Sequence, residues 1–233
     1  MAMANPSSSA QNVETRLAPA ALPFMIGTYQ GDLFMPSLWL APILAALVGY
    51  ALGSIPFGLL LTRFSGAGDL RQIGSGNIGA TNVLRTGHKG LAALTLLLDL
   101  AKGAGAVAIG GMIDPTHGTV VGGVMAFIGH CYPIWLRFAG GKGVATMMGV
   151  VLALHWPSGL LFAAVWIGAL LILRWSSVGG MAAAISAPIG ALVAGHPMLA
   201  QAFAGMAAIV LWRHRANIRR LLAGTEPKVG KKG

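Results

Sequence analysis

The sequence predicts an all-α integral membrane protein with about seven transmembrane helices, on three observations. Of its 233 residues, 55% are hydrophobic and only 9% are charged, against roughly 25% charged in a soluble domain. The apolar residues fall into long runs. Lys and Arg sit in short clusters between those runs, as membrane topology requires. The net charge of +10 would also suit a nucleic-acid binder, but the cations sit in short clusters set between and after apolar runs, as membrane topology requires, and that class drops out. A single cysteine, Cys131, excludes an internal disulfide framework and a cysteine metal cluster.

Residues 1–36 are rich in Ala, Ser and Pro and hold no continuous apolar run long enough to span. They are expected to be a disordered N-terminal extension. They lack the basic start that a secretory signal carries before its apolar region, and Met35 is a candidate true start. A membrane domain is expected over residues 37–226, with a basic cytoplasmic tail over 227–233.

The first span is expected over residues 38–62, whose 25 residues would reach about 37 Å as helix and so cross a ~30 Å core. Gly53, Pro56 and Gly58 suggest a kink or close packing toward its end. The second is expected over residues 91–113. It contains Asp99 and Lys102, three apart on one helix face, where an ion pair lowers their cost. Such a pair is either a functional feature or a structural one supporting the neighbouring loop. Further apolar runs cover residues 119–138, 144–156, 159–173, 178–195 and 198–212. Several are short, so that a pair of them could be re-entrant; seven spans is the preferred count and five the fallback. With seven, every interspan Lys or Arg falls on one side, and the turns near Asp114, Pro157 and His196 carry none. The positive-inside rule then puts the motif loops and C-terminus in the cytoplasm and the N-terminus outside.

The candidate chemistry lies in four places on that side. Residues 74–85 read GSGNIGATNVLR. Gly74, Gly76 and Gly79 let backbone N–H groups turn toward an anion, and Ser75, Asn77, Thr81, Asn82 and Arg85 add side-chain donors, the chemistry of a phosphate cradle. The glycines also match G-x-G-x-x-G with Asp99 twenty residues on. That dinucleotide fingerprint needs a strand before it and its acid at a strand end, whereas here a charged loop precedes it and Asp99 lies in an apolar helical run.

Residues 140–146, GGKGVAT, open a helix. Gly141, Lys142 and Gly143 make an anion site there, though not a Walker A loop, because a glycine follows the lysine. Ser176 and Ser177 follow Arg174 at a helix boundary, where an N-cap role is expected. Last comes RHRANIRRLLAGTE over residues 213–226. His214 and Asn217 share a helix face as a specific pair, while Arg215, Arg219 and Arg220 are candidates for anionic lipid.

These motifs, with GHCYPIWLRFAGGKGVAT over residues 129–146, resemble the PlsY family, bacterial membrane acyl-phosphate:glycerol-3-phosphate acyltransferases. The resemblance covers about residues 38–226 and leaves the N-terminal extension unmatched. It implies a seven-helix fold and transfer of an acyl group from acyl phosphate to the 1-hydroxyl of glycerol-3-phosphate, giving lysophosphatidate and phosphate. By position it implies Ser75, Arg85, Lys142, His214 and Asn217 as catalytic. Gly74, Gly76, Asn77, Thr81, Asn82, Gly141, Gly143 and Ser177 would bind substrate. Besides its two substrates and membrane lipids, the soluble enzyme that makes acyl phosphate is a candidate partner.

The residues are compatible with this chemistry. Few acids lie near the donors, and no His is followed five positions later by Asp, so the H-x-x-x-x-D pair of soluble-type acyltransferases is missing. The general base is either His214 or a substrate phosphate oxygen, with the protein positioning the reactants and stabilising negative charge. No cofactor is expected, and no metal, since no carboxylates or histidines have ligand spacing. The competing class is a transporter or channel for an organic phosphate. Against it, no internal repeat is evident and the donors gather at one interface.

Overall fold

The computed structural model describes residues 35–230, and among them every regular element is helical. The expected N-terminal extension lies outside the described residues except for Met35 and Pro36, which already belong to helix α1 (Met35–Gly53). The helical region thus starts two residues earlier than the sequence suggested.

The first apolar run is two helices. Pro56 has no N–H to donate, so the chain breaks over residues 54–56 and resumes as α2 (Phe57–Phe64). The charged loop that follows holds one 3-10 turn (Leu70–Gln72), started by Asp69, whose Oδ1 accepts the Arg71 N–H at 3.0 Å, and a short helix α3 (Ala80–Arg85). The remaining helices are α4 (Lys89–Ile113), α5 (Gly118–Cys131), α6 (Val144–Leu154), α7 (Trp156–Leu173), α8 (Ser176–Val193), α9 (Pro197–Arg213) and α10 (Arg215–Leu222). The run expected over residues 119–138 also divides, because α5 stops before Pro133 and only a 3-10 turn (Ile134–Leu136) follows.

Among the described residues, five helical stretches are long and apolar enough to cross a membrane: Trp39–Phe64, Lys89–Ile113, Gly118–Leu136, Trp156–Leu173 and Ser176–Val193. Two apolar helices are shorter, α6 with 11 residues and α9 with 17. At 1.5 Å per residue α6 reaches only about 16 Å. It lies at the centre of the bundle, touching α4, α5, α7, α8 and α9, and Thr146, Met147, Met148, Gly149, Val150 and Val151 are all buried in succession. A helix apolar all round belongs in such a position. Around it the core is filled by Phe127, Phe162, Phe203, Met206 and Val210. The outer surface carries Leu160, Leu171 and Ile172 of α7 and Leu192 and Val193 of α8, an apolar skin suited to lipid.

Glycines set the helix spacing, since lipid gives no hydrophobic drive and close backbone contact must hold the helices together. A methyl at Gly49 or Gly53 of α1 would strike the backbone of Gly122 or Ala126 on α5, and one at Gly149 of α6 would strike the Leu100 carbonyl of α4. Gly168 on α7 faces open space. Gly149→Leu should therefore lower the melting temperature in detergent, by an amount equivalent to about 1–3 kcal/mol or more, whereas Gly168→Leu should leave it within error. Equal effects of the two substitutions would contradict this packing.

Candidate active site

One end of the bundle gathers loops from four distant parts of the sequence. The first motif turns tightly between the 3-10 turn and α3, with Gly74 and Gly76 at φ of 55° and 67°, values that an L-residue rarely adopts. Asn82 organises the turn: its Nδ2 donates to the carbonyls of Leu70 and Ile73 at 3.0 and 2.9 Å, and its Oδ1 accepts the Ser75 N–H at 3.2 Å. Arg85 Nη1 lies 3.4 Å from the same oxygen. The Gly76 N–H is taken by the Ile73 carbonyl and the Gly79 N–H by Asn77 Oδ1, both at 2.9 Å. The backbone cradle expected of this loop is therefore largely spent on holding the loop itself. What it offers outward is the side chains of Ser75 and Asn77, which line the cavity, and the exposed Arg85.

The second motif packs on the end of α5. The Gly141 N–H donates to the His130 carbonyl at 2.9 Å. A methyl at Gly140, Gly141 or Gly143 would collide with the His130 carbonyl, the His130 ring or the Phe127 ring respectively. These glycines are needed for close approach, a different reason from the anion contact expected of them. Arg213, at the end of α9, grips the loop from the other side: its Nε donates to the Gly141 carbonyl at 2.9 Å, its terminal nitrogen bonds the Gly140 carbonyl, and its guanidinium lies 5.1 Å over the Tyr132 ring.

Lys142 is thus held facing α10. Its Nζ donates to Asn217 Oδ1 at 2.6 Å, and Asn217 Nδ2 donates to Glu226 Oε1, also at 2.6 Å. Glu226 further accepts from Ser177 Oγ at 2.7 Å and from Arg220 Nε at 2.7 Å, with its side chain 4% exposed. Hydrogen bonds from these partners hold its carboxyl below the usual range despite burial, so it stays ionised. The Trp175 indole donates to the Glu226 carbonyl, and the Val229 N–H to the Arg174 carbonyl, fastening the segment after α10 across the α7–α8 junction. Ser177 does not cap α8, whose N-cap residue is Trp175 without a side-chain bond, and Ser176 instead pairs with Thr81 at 2.9 Å. These bonds correct the N-cap expectation for both serines.

The result is a cavity of about 460 Å³ lined by Ser75, Gly76 and Asn77 from the first motif and by Ala139, Gly140 and Lys142 from the second. Arg213, Arg215, Ala216, Asn217, Arg219 and Arg220 complete its wall. Five of these residues are cationic and, among the described residues, no carboxylate faces it. Gly74, Thr81, Asn82, Arg85, Gly141, Gly143, Ser177 and His214 are not among the lining residues; Asn82, Ser177 and His214 are buried, whereas Thr81 and Arg85 are exposed. His214 is 2% exposed and breaks α9 from α10. Its Nδ1 lies 2.8 Å from the Val210 carbonyl, an acceptor only, so the neutral ring carries its proton there. Burial, with the nearby charge of Lys142, pushes its pKa down to about 4.

The sequence reading passed over Arg213 and gave Glu226 no role. The one available signal for Glu226 was that it is the last acidic residue, with none between it and Asp114.

Fold and site together define a polytopic membrane protein with a cationic pocket at one end of its helix bundle. The chain belongs to the glycerol-3-phosphate acyltransferase (PlsY) family, whose sequence profile matches residues 43–224. It is 56% identical to a glycerol-3-phosphate acyltransferase of Mesorhizobium japonicum over 82% of this chain and 97% of that one. To another from Erythrobacter litoralis it is 56% identical over 83% and 98%. Two crystal structures of an integral membrane glycerol 3-phosphate acyltransferase of the PlsY family, a glycerol 3-phosphate form and a lysophosphatidic acid form, superpose with TM-scores of 0.77 and 0.75. They share 37% and 36% identity, each over 82% of this chain and 96% of that one.

Burial lowers the Lys142 pKa to about 8, with Glu226 opposing the fall and Arg220, Arg85 and Arg213 adding to it. The ammonium should persist at pH 7 and be lost as pH rises through about 8. Modification of Lys142 by an amine-reactive reagent, read by mass spectrometry, should reach half its maximal rate near that pH. Glu226→Gln removes the one opposing charge, so the midpoint should fall below about 8. A midpoint unchanged or raised in Glu226→Gln would contradict the geometry.

Proposed function

We propose that this protein transfers an acyl group from acyl phosphate to the 1-hydroxyl of glycerol-3-phosphate, giving lysophosphatidate and inorganic phosphate. The observation that carries this reading is the cavity, with five cations in its wall and no facing carboxylate among the described residues. Its volume suits a small ligand, and each of the two substrates brings a phosphate. Family membership supports the acceptor.

In the reaction the hydroxyl oxygen forms a bond to the acyl carbonyl carbon. The bond from that carbon to the phosphate oxygen then breaks, and phosphate leaves with the electron pair. Lys142 supplies a compact charge, oriented by Asn217, to the phosphate oxygens. Arg85, exposed at the end of the first motif, supplies a planar fork for two hydrogen bonds, and Ser75, in the cavity wall, orients the hydroxyl. The proton goes to a base. His214 is neutral, but its Nε2 faces Gly180 of α8 and it stands behind the cavity wall, which favours a phosphate oxygen of the substrate. With no H-x-x-x-x-D pair to drive attack on a thioester, the good phosphate leaving group is required.

The same reading takes α6 and α9 as completing seven crossings of a bacterial inner membrane. The four motifs and the basic tail over residues 227–233 then face the cytoplasm and the N-terminus lies outside. There the soluble enzyme that makes acyl phosphate would deliver its product. Ser75 and Thr116 are both exposed and Cys131 is buried, so single cysteines at positions 75 and 116 report the two sides. An impermeant thiol reagent should label them from opposite faces, and labelling from the same face would defeat the seven-crossing arrangement.

Turnover of purified protein in detergent tests the reaction, since no sealed membrane is present to make transport useful. Acyl phosphate should be used and an acyl thioester should not. Arg85→Ala and Lys142→Ala should each lose about 10²–10³ in kcat/KM, or roughly 2–4 kcal/mol, by analogy with deleting one oxyanion donor. Arg85→Lys should lose much of the same, because the fork is gone although the charge remains. Well-folded variants that keep full activity would make these residues interfacial anchors only.

A further inference from the structure

A second set of deeply buried charges lies outside the cavity. Asp99 and Lys102 of α4 pair at 2.7 Å with side chains 4% and 3% exposed, and His130 Nδ1 of α5 lies 3.6 Å from the same Asp99 oxygen. An ion pair in a membrane interior is costly, and apolar residues of the same size would serve packing at least as well. The cluster reaches in two directions. Toward α1, Lys102 Nζ donates to the Ile55 carbonyl at 2.8 Å and lies 5.6 Å over the Phe57 ring. Ile55 is in the break before α2, and Gly58, one residue beyond Phe57, packs so tightly on the Ile78 carbonyl that a methyl there would collide with it. Ile78 belongs to the first motif. Toward α6, the His130 carbonyl takes the Gly141 N–H, and its ring lies directly against Gly141, the residue before Lys142.

We propose that Asp99, Lys102 and His130 are positioning residues that set the distance between the two walls of the cavity. One arm of the cluster, through Ile55 and Gly58, fixes the loop that presents Ser75 and Asn77. The other, through His130 and Gly141, fixes the loop that presents Lys142. The inference rests on the proposed acyl transfer and deepens it. Each substrate can bind to one wall, but reaction needs both walls in register, and a misplacement near 1 Å is worth about 100-fold in rate. The cluster therefore acts on kcat more than on KM.

The test compares Lys102→Met, Lys102→Arg and the double variant Asp99→Asn/Lys102→Met in the purified full-length protein. Melting temperature is measured beside kcat and KM for both substrates. Lys102→Met leaves an unpaired buried carboxylate and should lose both melting temperature and activity. The double variant leaves no unpaired charge, so its melting temperature should recover toward wild type while kcat stays about 10- to 100-fold low and each KM changes less than about threefold. Lys102→Arg, which keeps a donor for the Ile55 carbonyl, should retain most of kcat. A double variant whose kcat recovers together with its melting temperature would overturn the proposal, and so would one that no longer folds, because the pair would then be structural only. A wild-type protein that fails to turn over acyl phosphate and glycerol-3-phosphate would sink the proposed reaction instead.

Discussion

Lys142, Asn217 and Glu226 form one hydrogen-bonded chain, with 2.6 Å at each step, and the site depends on it. A cavity lined by five cations would repel itself apart if nothing compensated them, yet a carboxylate facing inward would compete with any phosphate for the same donors. Placing Glu226 behind Asn217 resolves the conflict. Its charge is felt by Lys142 and Arg220, while Asn217 presents only a neutral amide to the cavity. The same carboxylate binds Ser177 on α8, so the segment after α10 closes the bundle at the end where the motifs meet. Loss of this carboxylate would leave three donors without their acceptor, at a cost of about 1–3 kcal/mol for each one buried.

A second constraint comes from backbone approach. Gly140, Gly141 and Gly143 let the second motif lie flat on the end of α5, and Arg213 seals it by taking two of its carbonyls. The lysine between them is left with one direction to point. In the first motif Asn82 has the matching role, filling the turn's own donors and acceptors so that Ser75 and Asn77 face out. Rigid loops on a close-packed frame are what electrostatic stabilisation of a developing charge needs, since no reorganisation is then required during reaction.

Much of the frame was legible in the sequence because lipid imposes simple rules. Every helix of eleven residues or more was visible as an apolar run, and Pro56 and Pro133 end helices as proline should. The ion pair of Asp99 and Lys102 followed from their spacing alone. Less legible was anything that depends on two distant segments meeting. That the glycines of the second motif also permit close approach was hidden, because periodicity cannot reveal His130 and Phe127 beneath them. Glu226 lies nine residues from Asn217, beyond a helix end and a turn at Gly224, so no helical spacing linked the two. The serines after Arg174 looked like caps, but Glu226 and Thr81 claimed their hydroxyls.

In the proposed function the cationic cavity at the motif end holds the phosphate of glycerol-3-phosphate with Lys142 in contact. Isothermal titration of glycerol-3-phosphate into purified protein in detergent, wild type beside Lys142→Ala, tests it most directly. The account predicts one site in the wild type, with affinity lost or reduced by about tenfold or more when the charge is removed, as for a charge-assisted hydrogen bond. Equal affinity in a well-folded Lys142→Ala protein would contradict it.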